Sequence, residues 1–283
     1  MAIEADSQMV QQSHPLDRYA PSVRLLGPIA LVPVLRIVQH VDEMDYWDPA
    51  GYSQVDELAA ALTACELDDR CEAVLLTINS PGGETARYQH VIDAMASLAA
   101  VKPTLAYARG CMCSAAYWVG CVAHGVWADS DYAVVGSIGA DWAFADLSAG
   151  MAADGVRVRH VTDTPGKVEM AGDQPITDDA VAHMRRVLGP MAEAFRGTVA
   201  ARRGLSVAAD QDGGFAAPFD GRTYSARDAI GLGLVDEVVP EAELLPRAAA
   251  LFDELAAVLN PETIPNPETP QTVDKPEPAT PAA

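Results

Sequence analysis

Lysine is scarce in this chain, since three of its nineteen basic residues are lysines and the rest are arginines. One of the three, Lys167, follows Ser114 by 53 residues. Arginine stays protonated in proteins, whereas a lysine amine that is withdrawn from water can lose its proton and act as a base. A serine hydroxyl needs such a base to become a nucleophile. The two residues therefore predict a hydrolase that uses a serine and a lysine.

Ser114 lies where a predicted strand meets a predicted helix. The apolar run TLAYAR (104–109) precedes it and the small-residue segment AAYWVG follows it. A serine at a helix N-terminus meets free N–H groups and the positive end of the helix dipole, which favour developing negative charge. The segment is not the GxSxG elbow, because Met112 and Ala116 occupy its glycine positions. An ordinary N-cap serine fits the same pattern, so the motif alone leaves both interpretations open.

Two glycines form a second candidate site. Gly82 and Gly83 follow the predicted strand AVLLTIN (73–79) and a proline turn. Glycine permits unusual backbone angles and lets backbone N–H groups approach a ligand. Such N–H groups can form an oxyanion hole. A simple tight turn between a strand and a helix explains the same residues, so this motif too is weak by itself.

Lys167 lies in a polar loop, TDTPGKVEMAGDQPIT (162–177), after the strand-like run VRVRHVT (156–162). A solvated loop lysine is the ordinary alternative to a catalytic one. The other lysines suit catalysis less well, because Lys102 precedes a proline in a predicted turn and Lys275 lies near the C-terminus. Histidine is a competing base, but the helical rise places His124 roughly 15 Å along the helix that begins at Ser114.

Strands and helices alternate along the chain, which predicts an α/β fold with a parallel sheet. Apolar runs of strand length occupy 29–35, 73–79, 104–109 and 156–162. Apolar residues at intervals of three and four predict helices at 55–67 and 88–100. A long helix is predicted over 177–203, with Thr177 as its cap and an interruption near Gly189–Pro190, and a last helix over 240–257.

Composition predicts one folded domain with two less ordered ends. Residues 22–258 form the predicted domain, and 1–21 are predicted to be loosely ordered. Residues 259–283 are rich in proline, threonine and glutamate and have almost no apolar side chains to bury. Such a segment is expected to be a disordered tail.

Charge and cysteine usage exclude several classes of function. The formal charge of −21 and the pI near 4.4 argue against a nucleic-acid partner, because binding phosphates needs clustered cations. The apolar runs are too short to span a membrane, and the N-terminus lacks the layout of a secretory signal, so a cytoplasmic protein is expected. The five cysteines show no CxxC spacing, which favours reduced thiols without a metal or other cofactor.

Five motifs in order resemble the signal peptide peptidase A family of serine peptidases, over about residues 29–240. They are NSPGG (79–83), GCMCSAAYW (110–118), VVGSIGA (134–140), PGKVEMAGDQPIT (165–177) and DGRTYSARDAIGLGLVDEV (220–238). The run IALVPVLRIV (29–38) also resembles the first strand of the catalytic domain in the bacteriophage members, the capsid assembly or head maturation proteases.

The resemblance implies a fold and a set of site residues. The fold is the ClpP/crotonase-like spiral of repeated ββα units. Ser114 matches the nucleophile and Lys167 the general base. Gly83, with Gly82 as the other candidate, matches one oxyanion donor, and the Ala115 N–H is the second. Relatives form ring-shaped homo-oligomers, in some of which the serine and the lysine come from neighbouring protomers.

The same resemblance leaves four functions to weigh. A phage protease that cleaves scaffold, major capsid or portal proteins inside an assembling procapsid in the host cytoplasm is the leading hypothesis, because no membrane anchor is evident. A soluble housekeeping peptidase of a bacterium is the alternative. A crotonase-like acyl-CoA enzyme, or a non-catalytic capsid-associated protein, would keep the fold without the nucleophile.

Cys113 stands where relatives usually carry a small residue, and a thiol there is open to oxidation.

Overall fold

The computed structural model describes residues 14–19, 23–34, 54–83, 87–212 and 214–259. The predicted tail lies outside this part of the chain, apart from Leu259. Within the predicted loose N-terminal segment, Pro15–Tyr19 form a short 3₁₀ helix with Leu16 buried. None of the helices in the described ranges combines the length and the apolar character that a bilayer crossing requires.

The described residues form a mixed sheet of eight strands. Six of them lie in the order β1-β2-β3-β4-β5-β8; β6 pairs with β4, and β7 pairs with β6. The β1–β2 and β6–β7 pairs are antiparallel, and the other pairs are parallel. The strands are β1 (Arg24–Leu26), β2 (Ile29–Val34), β3 (Ala73–Ser80), β4 (Thr104–Cys113), β5 (Gly125–Ala128), β6 (Val134–Gly136), β7 (Thr223–Ser225) and β8 (Glu237–Val238).

Helices connect the parallel strands, and the α/β class predicted from the sequence is confirmed. The α-helices of the described residues are α1 (Gln54–Leu67), α2 (Gln89–Val101), α3 (Ala115–Gly120), α4 (Ser148–Ala153), α5 (Asp178–Arg203), α6 (Ala226–Gly231) and α7 (Glu241–Leu259). Thr177 caps α5 as predicted, because its side chain accepts a hydrogen bond from the Ala180 N–H.

Both faces of the sheet are covered, which explains the continuous apolar runs in β3 and β4. Successive side chains of a strand point to opposite faces. Leu76 and Ala106 belong to the larger core, which includes residues of α1, α2 and α3. Leu75 and Tyr107 belong to a smaller core on α7, where Phe252 is buried.

Strand β4 changes partner along its length. Its first half, Leu105–Ala108, pairs with β5, whereas Cys111–Cys113 pair with β6. Gly110, with φ of 83°, lies between the two halves. The change brings the end of β4 between the end of β3 and β6, so the loops that follow these three strands meet at one edge of the sheet.

The predicted interruption of the long helix is wrong. Helix α5 continues through Pro190 to Arg203. A proline inside a helix removes one hydrogen bond and costs about 3 kcal/mol. The turns after Pro190 bury Ala192, Phe195 and Val199 at helical spacing, and this burial offsets the cost.

The predicted strand at 156–162 is also wrong. These residues form an irregular, exposed segment, in which Val161 is 96% exposed. The alternating valines and arginines have the period of a strand, but a strand forms only where a partner edge is present. None of the eight described strands pairs with this segment. It belongs to a largely exposed region, residues 141–177, which we call the lysine arm because it carries Lys167.

Candidate active site

Ser114 occupies the sharp turn between β4 and α3. Its backbone angles are φ 53° and ψ −129°, a conformation that side chains other than glycine rarely adopt. Its N–H donates to the Gly136 carbonyl at 2.8 Å. The hydroxyl makes no hydrogen bond with any of the described residues, although Ser114 is the N-cap of α3. Strain of this kind, about 1–3 kcal/mol, persists where the surroundings hold it and concentrates at functional sites.

The surroundings of Ser114 are rigid. All six residues of α3 are buried. The Tyr88 hydroxyl donates to the Ala115 carbonyl at 2.5 Å, and the Tyr117 hydroxyl donates to the Leu234 carbonyl at 2.8 Å. The Trp118 ring stacks on Phe195 of α5, with ring centroids 4.9 Å apart. These contacts fix the helix and therefore the direction of the serine side chain.

The glycine turn after β3 faces Ser114. Gly82 and Gly83 have φ of 102° and 152°. The Gly82 N–H donates to Ser80 Oγ at 3.2 Å. The N–H groups of Gly83 and Ala115 have no acceptor among the residues that the structure describes. A Cβ built on Gly82 would lie 2.5 Å from Ser114 Cβ, which is closer than real Cβ atoms approach.

Replacement of Gly82 by alanine is therefore expected to displace the serine. We expect Gly82→Ala to lower any activity of Ser114 by at least about 100-fold, since a 1 Å misplacement of a reacting group has that effect. Gly110→Ala is the matched control: its φ of 83° is also positive, but a Cβ there has no atom within 4 Å. Thermal unfolding should show a loss of stability in both variants. Equal activities for the two variants would contradict the contact.

A cavity of about 840 Å³ opens in front of Ser114. Gly83 and Ser137 line it on the side of the sheet, and Trp142 from the lysine arm and Leu188 from α5 line it on the other. Ser137 was not among the predicted site residues. It has φ of 53°, like Ser114, and its N–H donates to the Arg222 carbonyl at 2.8 Å. The GSIG sequence after an apolar pair was the signal that could have identified it.

The thiol beside Ser114 is not a competing nucleophile. Cys113 is buried, and burial raises its pKa to about 12. Its Sγ lies 3.4 Å from the Val134 carbonyl and 3.7 Å from Cys111 Sγ. A thiol that stays protonated near neutral pH reacts slowly.

Lys167 does not line the cavity of Ser114. It is exposed on a 3₁₀ turn, Pro165–Val168, and lines a separate, shallow cavity of about 400 Å³. Trp142 is the residue that the two cavities share. The Lys167 Nζ makes no hydrogen bond or ion pair with any of the described residues. One chain therefore holds the two predicted catalytic residues in adjacent but distinct cavities.

The competing bases lie elsewhere. Lys102 Nζ donates to the carbonyls of Cys65 and Asp68, at 2.7 and 3.0 Å, where it holds the end of α1. His124 does not lie along the helix of Ser114, as the sequence suggested, because α3 ends at Gly120. Its Nδ1 contacts Thr104 at the opposite end of β4. Burial lowers the His124 pKa.

Within the described ranges, no group of three or more histidine, cysteine or carboxylate side chains is placed to hold a metal ion. The five cysteines are free thiols, and Cys111 is half-buried while the others are buried.

Proteins with similar sequences include a candidate protease of Methanocaldococcus jannaschii, 32% identical over 70% of this chain and 61% of that protein. The capsid assembly protease C of Escherichia phage lambda is 25% identical over 81% of this chain and 50% of that protein. The head-tail preconnector protein GP5 of Enterobacteria phage P21 is 27% identical over 87% of this chain and 46% of that protein. The chain thus spans about half to three-fifths of the length of these relatives.

Solved structures with a similar arrangement include two enoyl-CoA hydratase family proteins. One is an enoyl-CoA hydratase/isomerase family member, 16% identical, with a TM-score of 0.42 over 83% of this chain and 76% of that chain. The other, from Magnetospirillum magneticum, is 15% identical, with a TM-score of 0.42 over 83% of this chain and 73% of that chain.

Residues 96–254 match the description of Peptidase family S49. The match includes β4, Ser114, α3, the lysine arm and α5, which contribute most of the residues that line the two cavities. It covers more than half of the chain, and it confirms the family predicted from the ordered motifs. The chain belongs to Peptidase family S49.

Proposed function

We propose that this chain is a serine endopeptidase in which Ser114 is the nucleophile and Lys167 the general base. The observation that carries the proposal is the Ser114 turn. A strained serine, whose hydroxyl has no hydrogen-bond partner among the described residues, faces a cavity in a member of a peptidase family. The low reactivity of the neighbouring Cys113 thiol leaves the serine as the nucleophile at this position.

The proposed reaction follows from the groups around Ser114. A neutral Lys167 amine takes the hydroxyl proton as Ser114 Oγ attacks a peptide carbonyl carbon. The carbonyl oxygen becomes an oxyanion and accepts from the N–H groups of Gly83 and Ala115. The resulting ammonium then gives its proton to the leaving amine. Water next attacks the acyl-enzyme with Lys167 again as base, which releases the acid product and restores the serine.

The N–H groups of Gly83 and Ala115, which have no acceptor in the described ranges, support these two residues as the oxyanion donors. Gly82, the other candidate, already donates to Ser80 Oγ. A donor of this kind contributes about 3–4 kcal/mol to transition-state stabilisation where it has been removed by mutation.

Lys167 serves the Ser114 of a second copy of the chain. The two residues line different cavities within one chain, and the lysine arm leaves large apolar side chains exposed. Trp142 is 56% exposed, Leu147 59% and Val161 96%. Large apolar side chains exposed on one segment in this way support an interface between proteins. A homo-oligomer, in the form of a ring, covers the arm and completes the site.

The substrates are polypeptides of an assembling phage head, such as scaffold, major capsid or portal proteins. Two relatives support this, since their names describe a capsid assembly protease and a head-tail preconnector protein. The substrate pairs through its main chain, as an extended strand, beside the glycine turn. A bacterial housekeeping peptidase is the alternative, and portal and capsid genes beside the coding sequence distinguish the two.

Labelling with a fluorophosphonate probe tests the proposal. The probe should attach to one residue, and mass spectrometry should locate it at Ser114; Ser114→Ala protein should stay unlabelled. An acyl-CoA enzyme or a non-catalytic head protein of the same fold would not react. Absence of labelling in the oligomeric fraction, or labelling at another residue, would overturn the assignment of the nucleophile.

A further inference from the structure

Glu169 lies two residues after Lys167 and lines the same cavity. Apart from Lys167 and Glu169, the described residues that line this cavity are uncharged. A carboxylate that shares a cavity with an amine favours the ammonium form of that amine as it approaches it. An ammonium cannot accept a proton from a serine, so a free Glu169 would oppose the use of Lys167 as a base.

Glu169 is not free. Its carboxylate accepts a hydrogen bond from His183 Nδ1, and His183 belongs to α5. The Glu169 side chain is 24% exposed and the His183 side chain 47% exposed. Lys167 Nζ, by contrast, has no partner among the described residues. The chain thus pairs the carboxylate with an imidazole and leaves the amine unpaired.

Two other carboxylates of the lysine arm have partners of their own. Asp173 binds the imidazole of His160, with distances of 2.8 and 2.9 Å. Asp146 accepts from Ser148 Oγ at 2.6 Å and from the Ile176 N–H at 3.2 Å. Arg185 of α5 lines the adjacent cavity, and Asp163 is exposed on the chain before the turn.

His183 also connects the lysine turn to the wall of the Ser114 cavity. Val187 follows His183 by one helical turn and lines that cavity, as do Leu188 and Met191. A contact from Glu169 to α5 therefore fixes the position of the lysine turn relative to the helix that borders the nucleophile.

We propose that His183 is a positioning residue that holds Glu169 away from the Lys167 amine and attaches the lysine turn to α5. The inference rests on the proposed function, because it assigns a role to Lys167 as the base. It applies whether the lysine serves its own chain or a second copy.

The test is the pH dependence of peptide hydrolysis by the oligomeric full-length protein. His183→Ala should lower kcat about tenfold at neutral pH and leave KM nearly unchanged. The acidic limb of its kcat profile should move about one pH unit towards alkaline pH, because the freed carboxylate favours the ammonium. The double variant His183→Ala, Glu169→Gln should return the limb to its original position. His183→Gln, which can still donate to Glu169, should retain most of the activity.

His160→Ala is the matched control. It removes another imidazole–carboxylate pair of the same arm, but Asp173 does not line the lysine cavity. Its profile should keep the original acidic limb.

The outcomes separate this inference from the proposed function. An active Lys167→Ala variant would refute the lysine as base, and with it the role of His183. An inactive Lys167→Ala variant beside an unshifted His183→Ala profile would refute the positioning role alone. A loss of activity in His183→Ala that the Glu169→Gln change does not reverse would show a purely structural effect.

Discussion

Replacement of Ser114 by alanine is expected to reduce peptide hydrolysis by at least about 10⁴-fold, since removal of a catalytic serine has an effect of this size or larger. The variant keeps the backbone and the N–H groups of Gly83 and Ala115 but lacks the atom that forms the acyl-enzyme. Cys113 does not take over, because its thiol is buried and its pKa is about 12. The measurement is cleavage of co-expressed head proteins, followed by mass spectrometry.

The fold should tolerate this change. The Ser114 hydroxyl makes no hydrogen bond with the described residues, so the free energy of unfolding should change by no more than about 0.5 kcal/mol. Ser97→Ala is the matched control, because Ser97 is exposed on α2 and its hydroxyl donates to Glu66 at 2.9 Å. It should cleave at the wild-type rate. Undiminished cleavage by Ser114→Ala would refute the serine as nucleophile.

The sequence predicts the elements around Ser114 well because their signals are local. An apolar run followed by a glycine turn predicts the end of β3, and the Thr177 cap predicts the start of α5. The position of Ser114 between a strand and a helix is predicted by the change from an apolar run to a segment of small residues. Its positive φ does not follow, because the hydrogen bond to Gly136 and the packing of α3 impose it.

The lysine arm shows where such reasoning fails. The valines of 156–162 alternate as in a strand, yet no described strand pairs with them. Pairing depends on a partner edge that is distant in sequence or absent from the chain. For the same reason the sequence does not predict where Lys167 lies relative to Ser114, because a separation of 53 residues fixes no distance in space. Scarcity of lysine identified the residue, but the two separate cavities came from the structure.

Co-expression of Ser114→Ala and Lys167→Ala chains is expected to restore activity that neither variant has alone. If each site takes its serine from one copy and its lysine from another, a mixed oligomer contains some sites with both residues. Random assembly of equal amounts makes about a quarter of the sites complete. If both residues come from one chain, every site lacks one of them and no activity returns.

The exposed surface of the arm is the physical reason to expect recovery. Trp142 and Leu147 are more than half exposed, and an interface that covers them would bring a lysine arm to a neighbouring copy. Different affinity tags on the two variants allow purification of mixed oligomers alone, and peptide turnover per chain, counted over all chains in the oligomer, gives the measurement. Wild-type chains co-expressed with chains that carry both Ser114→Ala and Lys167→Ala provide the reference mixture. In that mixture about a quarter of the sites stay active if two copies share a site, and about half stay active if each site belongs to one chain. The opposite result is a mixture of the two single variants without activity, together with a reference mixture that keeps half of the wild-type activity. It would place Lys167 beside the serine of its own chain and require the lysine arm to move towards that serine.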